Sequence, residues 1–168
     1  MRLESLKVEV LDRMVDLGFD KNVTGELSEI ELGFLRRDAT QRHGVTRFQP
    51  GIDLKGELGP QHIRKVDLHR ELITGEWWEY GAYVLFHEYC HCLGNPDHGR
   101  KFRSMESLWP DHHAKNRGAQ FTDFLRRRNA KWIWCCTSCN SEHPRSKRAN
   151  GRYKCRKCDT ILVDKVSN

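Results

Sequence analysis

His87 and His91 stand four residues apart within residues 77–92, a stretch rich in apolar side chains that reads as one buried helix. Glu76 and Glu79 lie where a helix N-terminus favours acids, Thr74 is the expected N-cap, and Gly94 and Pro96 end the stretch. A helix turns by about 100° per residue, so both imidazoles leave the same face one turn apart. Two nitrogens so placed reach a single zinc ion at about 2.0–2.1 Å. Glu88 follows the first histidine, which sets its carboxylate beside such an ion rather than on it, as a general base for water. His87-Glu88-Tyr89-Cys90-His91 thus fits the H-E-x-x-H pattern of zinc proteases, with Glu88 as the candidate catalytic residue. The bland alternative is a pair of core histidines on an amphipathic helix. The apolar run Tyr83-Val84-Leu85-Phe86 before the motif and a further histidine after it argue against that reading.

A catalytic zinc keeps three protein ligands and one open position. His98 is a candidate third ligand, because Gly94-Asn95-Pro96-Asp97 is a turn that can bring the chain back toward the helix. Asp97 is its rival: counted from His87, the string H-E-x-x-H-x-x-G-x-x-D is also present, and the metzincin pattern has its third ligand there.

The chain has seven cysteines, an odd count that argues against a disulfide framework, and five of them fall between positions 135 and 158. Cys136-x-x-Cys139 and Cys155-x-x-Cys158 are two pairs separated by 15 residues. Each pair can form a knuckle with two thiolates, and two knuckles complete a tetrahedral structural zinc site. Cys135 is the alternative to Cys136. Cys90 and Cys92 read as core thiols, and His112 and His113 as surface residues.

Residues 126–168 hold 12 Lys/Arg against 3 Asp/Glu, a net +9, in a chain with 29 basic and 23 acidic residues; the remainder is therefore −3. Four thiolates on zinc would trim the tail to roughly +7. A basic tail on a near-neutral body suits a polyanion, through counterion release from phosphates, while solubility is the simpler explanation. Arg126, Arg127 and Arg128 form a basic hinge, Trp132 and Trp134 stand just before the ribbon, and Arg145, Lys147, Arg148, Arg152 and Lys154 lie between its knuckles. Basic and aromatic side chains so mixed fit phosphate contact with base stacking on single-stranded DNA; packing of the two tryptophans is the competing reading.

The rest of the chain supplies scaffold. Leu3, Leu6, Val10, Met14 and Leu17 predict a helix over 2–17, and Ser28 with Glu31 fits a capping box opening a second helix toward Gln41. Residues 45–49 and Ile63, Val66 and Leu68 predict strands of a small sheet. Helices are expected over 100–108 and 116–128. The expected fold class is α+β, with domains at 1–128 and 129–168. No apolar run approaches the roughly 20 residues of a membrane span, and charged residues interrupt any N-terminal leader, so the cytoplasm, or a nucleus in a eukaryote, is the expected location.

The chain resembles the SprT-like, Spartan-related family of zinc metalloproteases. The resemblance rests on His87-Glu88-Tyr89-Cys90-His91, on His98-Gly99-Arg100-Lys101-Phe102 followed by Met105-Glu106-Ser107-Leu108, and on the ribbon from Cys136 to Cys158. Residues 39–68 match the family's lead-in less specifically, and the six-residue link between His91 and His98 is short for the family. The resemblance implies a minimal zincin-like fold with the active-site helix on a small sheet, and His98 as third ligand. It also implies one catalytic and one structural zinc, and hydrolysis of DNA-bound or DNA-crosslinked proteins. Two other readings remain: a nucleic-acid-binding ribbon protein with an inactive zincin domain, and a general peptidase with no DNA link.

Overall fold

Leu6, Val10 and Met14, spaced by four, give helix α1 (Arg2–Asp16) a single apolar stripe, and all three are fully buried. The computed structural model describes residues 2–167. They form two compact units, the first ending at Gly118 and the second starting at Ala119. The sequence reading placed this division at Arg128. The structure puts most of helix α5 (Arg117–Arg128), which buries Phe121 and Leu125, with the second unit.

In the first unit α1 is followed by α2 (Lys21–Ser28), capped by Asp20, whose side chain accepts from the Asn22 amide at 2.7 Å. The helix expected to begin at Ser28 is a correction, because α2 ends there. Leu32–Phe34 instead forms strand β1, paired in parallel with β3 (Ile63–Leu68) at Leu32↔Val66 and Phe34↔Leu68. A long-range strand partner overrides the local capping pattern. Strand β2 (Gly44–Phe48) runs antiparallel on the other side of β3, giving the order β1-β3-β2 with β2 at an edge. Asp67, buried on the central strand, is neutralised by Lys65 at 3.0 Å and by Arg47.

Helix α3 (Trp78–Cys92) is buried around most of its circumference, as its apolar composition requires. It packs against α1, the sheet and α4 (Arg100–Glu106). Its first expected turn is a separate 3-10 turn, Gly75–Trp77, and the Thr74 hydroxyl donates to the Glu71 carbonyl at 2.7 Å instead of capping α3.

The second unit carries a three-stranded antiparallel sheet in the order β5-β4-β6, from β4 (Trp132–Cys135), β5 (Glu142–Arg145) and β6 (Val163–Val166). Asp164 of β6 accepts from the Ala149 and Asn150 amides at 2.6 and 2.9 Å and pins the loop between the knuckles. The architecture is α+β, and no helix among the described residues is long and apolar enough to cross a membrane.

Gly81 is where α3 meets the 3-10 turn Arg70–Ile73. A Cβ there would lie 2.4 Å from the Leu72 carbonyl oxygen, a backbone atom that cannot swing away. Gly81→Ala is expected to destabilise the protein by about 1–3 kcal/mol in chemical denaturation, despite alanine's better helix propensity.

Candidate metal centres

His87 and His91 leave α3 one turn apart. The chain then reverses through 93–97, and His98 stands just before α4. The three residues each bring a ring nitrogen to within 4.8 Å of the others, and the His87 and His98 Nε2 atoms are 3.2 Å apart. Asp97 does not join them; its carboxylate accepts from the Gly99 amide at 2.9 Å and shapes the turn before α4. Phe102 of α4 packs under the cluster, its ring centroid 4.5–4.8 Å from those of all three imidazoles.

The outward nitrogens decide which ring atoms face one another. His91 Nδ1 lies 2.6 Å from the Asn95 carbonyl oxygen, which can only accept, so Nδ1 carries the proton. His87 Nδ1 lies 2.7 Å from Glu106 Oε1. Burial works to raise the Glu106 carboxyl, but hydrogen bonds from Arg103, His87 and Tyr83 outweigh it and hold it at about 2. It is therefore an acceptor, and His87 Nδ1 is also the donor. Burial holds His87 down at about 4 and lowers His91 as well. Both rings are neutral near pH 7, each with the Nε2 lone pair turned to the cluster. That is the state a metal ligand needs, with the partners that usually orient one.

Glu88 is buried beside them, 6% exposed. Its Oε2 accepts from the Thr46 hydroxyl at 2.8 Å. Burial pushes its carboxyl up to about 7, against the lowering effect of the Thr46 hydrogen bonds. Gly44 makes this seat possible, since a Cβ there would lie 2.7 Å from Glu88 Oε1 and 2.9 Å from Val84 Cγ1. A cleft of about 370 Å³ opens on the His43 and Tyr80 side, and another of about 530 Å³ on the side of Thr46, Phe48 and Pro96. His87, Glu88 and His98 line both.

In the second unit Cys136, Cys139, Cys155 and Cys158 bring their sulfurs within 4.8 Å of one another. The two knuckles repeat one geometry. The Asn140 amide donates to the Cys136 carbonyl at 3.0 Å and the Asp159 amide to the Cys155 carbonyl at 2.9 Å. Asn140 and Asp159 both take a φ of 54°, the left-handed conformation these two residue types tolerate. Hydrogen bonds from Ser141 and Thr160 lower the Cys139 and Cys158 thiols respectively, the latter to about 6. Cys135 Sγ lies outside the group, 3.7 Å from the Ile133 carbonyl.

No family model, curated protein or solved structure matches the chain.

The donor sets themselves fit zinc: three imidazole nitrogens facing an open cleft, and four thiols in two knuckles. The remaining sequence candidates divide. Trp132 and Trp134, two apart on β4, leave it on one side, with Arg148 over the first ring at 4.0 Å and Arg145 over the second at 5.0 Å. Tyr153 stacks on Trp134 at 4.5 Å, and the Trp134 indole donates to the Lys147 carbonyl. Lys154 pairs with Asp159, Arg152 is exposed, and Arg126, Arg127 and Arg128 form the last turn of α5, with Arg127 bonded to Asp123. His112 and His113 are exposed, whereas Cys90 and Cys92 are fully buried.

Sequence reasoning placed none of Glu106, Thr46, Gly44 and Asn95 at the site; the first three reach it through tertiary structure, whereas the Asn95 carbonyl meets His91 from only four residues along the chain. Replacing Glu106 by Gln is expected to weaken zinc at the histidines about 10–100-fold in chelator competition, because the ring loses its anionic partner. The full chain is expected to hold two equivalents of zinc by metal analysis. Cys136→Ser should hold one and Cys135→Ser two; two equivalents in Cys136→Ser would exclude the four-thiol site.

Proposed function

We propose that the chain is a zinc-dependent metalloendopeptidase of minimal zincin-like build, related to the SprT-like family, acting on DNA-bound or DNA-crosslinked proteins. The observation that carries this reading is the convergence of three imidazoles, two of them oriented by hydrogen bonds, with the buried carboxyl of Glu88 beside an open cleft. His87, His91 and His98 would hold the catalytic zinc, and Cys136, Cys139, Cys155 and Cys158 the structural one.

Zinc in the histidine cluster would supply Lewis-acid polarisation of a carbonyl and a more acidic water. Glu88 does the proton work: its carboxylate takes the proton of the attacking water and returns it to the leaving amine. A carboxyl poised near 7 suits both transfers, and Thr46 holds it in one orientation. Edge strand β2 runs past Glu88, with Thr46 on the carboxylate, and is itself paired on one side only, to β3. An extended substrate can add to the other side by backbone hydrogen bonds, which suits a peptidase with broad side-chain tolerance.

The DNA part of the reading rests on the ribbon's charge and on the arginine-covered tryptophans of β4. Counterion release makes such contact steeply salt-dependent. Free thiols throughout suit a reducing compartment, the cytoplasm or a nucleus.

Zinc-loaded protein is expected to cleave a DNA-binding protein faster with single-stranded DNA than without it, and to lose that stimulation as salt rises. Glu88→Gln is expected to lose about a hundredfold or more in rate while keeping its zinc. Cleavage indifferent to DNA would leave a general peptidase. Zinc-loaded protein that binds DNA but cleaves nothing would favour a binding module.

A further inference from the structure

The 370 Å³ cleft beside the histidines has an unbalanced wall. Three cations line it, Arg42, Arg103 and Lys115, and only two carboxylates, Glu88 and Glu106. Glu106 is fully engaged: it accepts from His87, from the Tyr83 hydroxyl at 2.9 Å and from Arg103 at 2.7 Å, with Lys115 at 3.5 Å. Glu88 is buried and held by Thr46. Arg42 is exposed and makes no hydrogen bond or ion pair among the described residues. It also lines the second cleft, so it stands where the two meet, next to His87, Glu88 and His98. A metal in the histidine cluster would add charge of the same sign.

An exposed cation that lines a cleft and has no anion of its own among the described residues is a recognition element for one. Guanidinium matches carboxylate with two parallel hydrogen bonds, which lysine cannot reproduce. We infer that this cleft is a carboxylate-binding subsite in which Arg42, backed by Arg103 and Lys115, takes an acidic group of the substrate next to the scissile bond. The inference rests on the peptidase reading and deepens it, giving the enzyme a preference for Asp or Glu, or for a free chain end, at one position. Arg42 selects and orients; it takes no part in proton transfer.

Two peptide series separate the sources of the carboxylate. One is amidated at its C-terminus and carries Glu or Gln at each position around the cleaved bond. The other is neutral throughout and ends in a free or an amidated C-terminus. Full-chain, zinc-loaded protein is expected to show about tenfold higher kcat/KM for the acidic member of one series. The ratio should shrink to below about twofold in Arg42→Gln and invert in favour of the neutral member in Arg42→Glu. A preference confined to the free C-terminus would assign the subsite to the chain end. Equal rates within both series, or a preference that survives Arg42→Glu, would overturn the inference. Binding of fluorescent Glu and Gln peptides to Glu88→Gln protein gives a readout independent of turnover. Tighter binding of the Glu peptide, lost in the Glu88→Gln/Arg42→Glu double variant, would sustain the subsite even if wild-type protein cleaves nothing and the peptidase reading falls. Arg42 is exposed and holds no partner, so the variants are expected to fold, which their unfolding midpoints check.

Discussion

The first unit depends on a single buried carboxylate. Glu106 closes α4 onto α3 through the Tyr83 hydroxyl and His87 Nδ1, with Arg103 on its remaining face. An anion 7% exposed is stable only while those donors surround it, and removing one leaves charge without compensation. The same bonds set the His87 tautomer and hold the C-terminal end of α4 against α3. They also hold Phe102 beneath the three rings. The link that shapes the histidine cluster is thus also the link that joins two helices, and a change to either function alters the other.

Against this, β2 imposes a steric constraint from the opposite side. The strand approaches α3 so closely that Gly44 has no room for a side chain, and Thr46 meets Glu88 by hydrogen bond. The consequence is a carboxyl with restricted water contact, near 7 instead of in the ordinary carboxylate range. Had β2 stood further off, Glu88 would be solvated, more acidic and a weaker base.

Where the sequence was legible, the reason is periodicity or fixed spacing. The four-residue recurrence of Leu6, Val10 and Met14 gave α1, and the spacing of His87 and His91 gave the shared face of α3, because both depend only on helix geometry. The reading failed at 28–41, where Ser28 and Glu31 mimic a helix start. The real determinant there is the pairing of Leu32 with Val66, a partner that no local window contains. Glu106 and Thr46 escaped for the same reason, whereas Asn95 acts on His91 through a backbone carbonyl, which carries no residue-type signal. Glu106 lies 19 residues from the histidine it orients, at no periodic spacing from it. Cys136 and Cys135 differ by one position, and the knuckle settles between them. Only Cys136 has its carbonyl four residues before a left-handed Asn and its amide bonded to Ser141.

The second unit raises a different energetic question. Its knuckles enclose a small cluster of Cys136, Cys155 and Leu162, with Trp134 packed against it, apart from the buried Phe121 and Leu125 of α5, and a cluster of that size contributes little against the chain entropy of ordering the knuckles. Four thiols within 4.8 Å of one another would add to that if they held a metal, as in metal-dependent folds of this size. The same packing also limits what Trp134 can do. Tyr153 lies parallel to it, Arg145 stands over it and its indole N–H is spent on Lys147, so the ring is part of the ribbon's own packing. Trp132 is less encumbered, with Arg148 above it at 4.0 Å. The arginine thus covers an aromatic ring that the strand itself leaves only half-buried, which keeps Trp132 from becoming an open apolar patch.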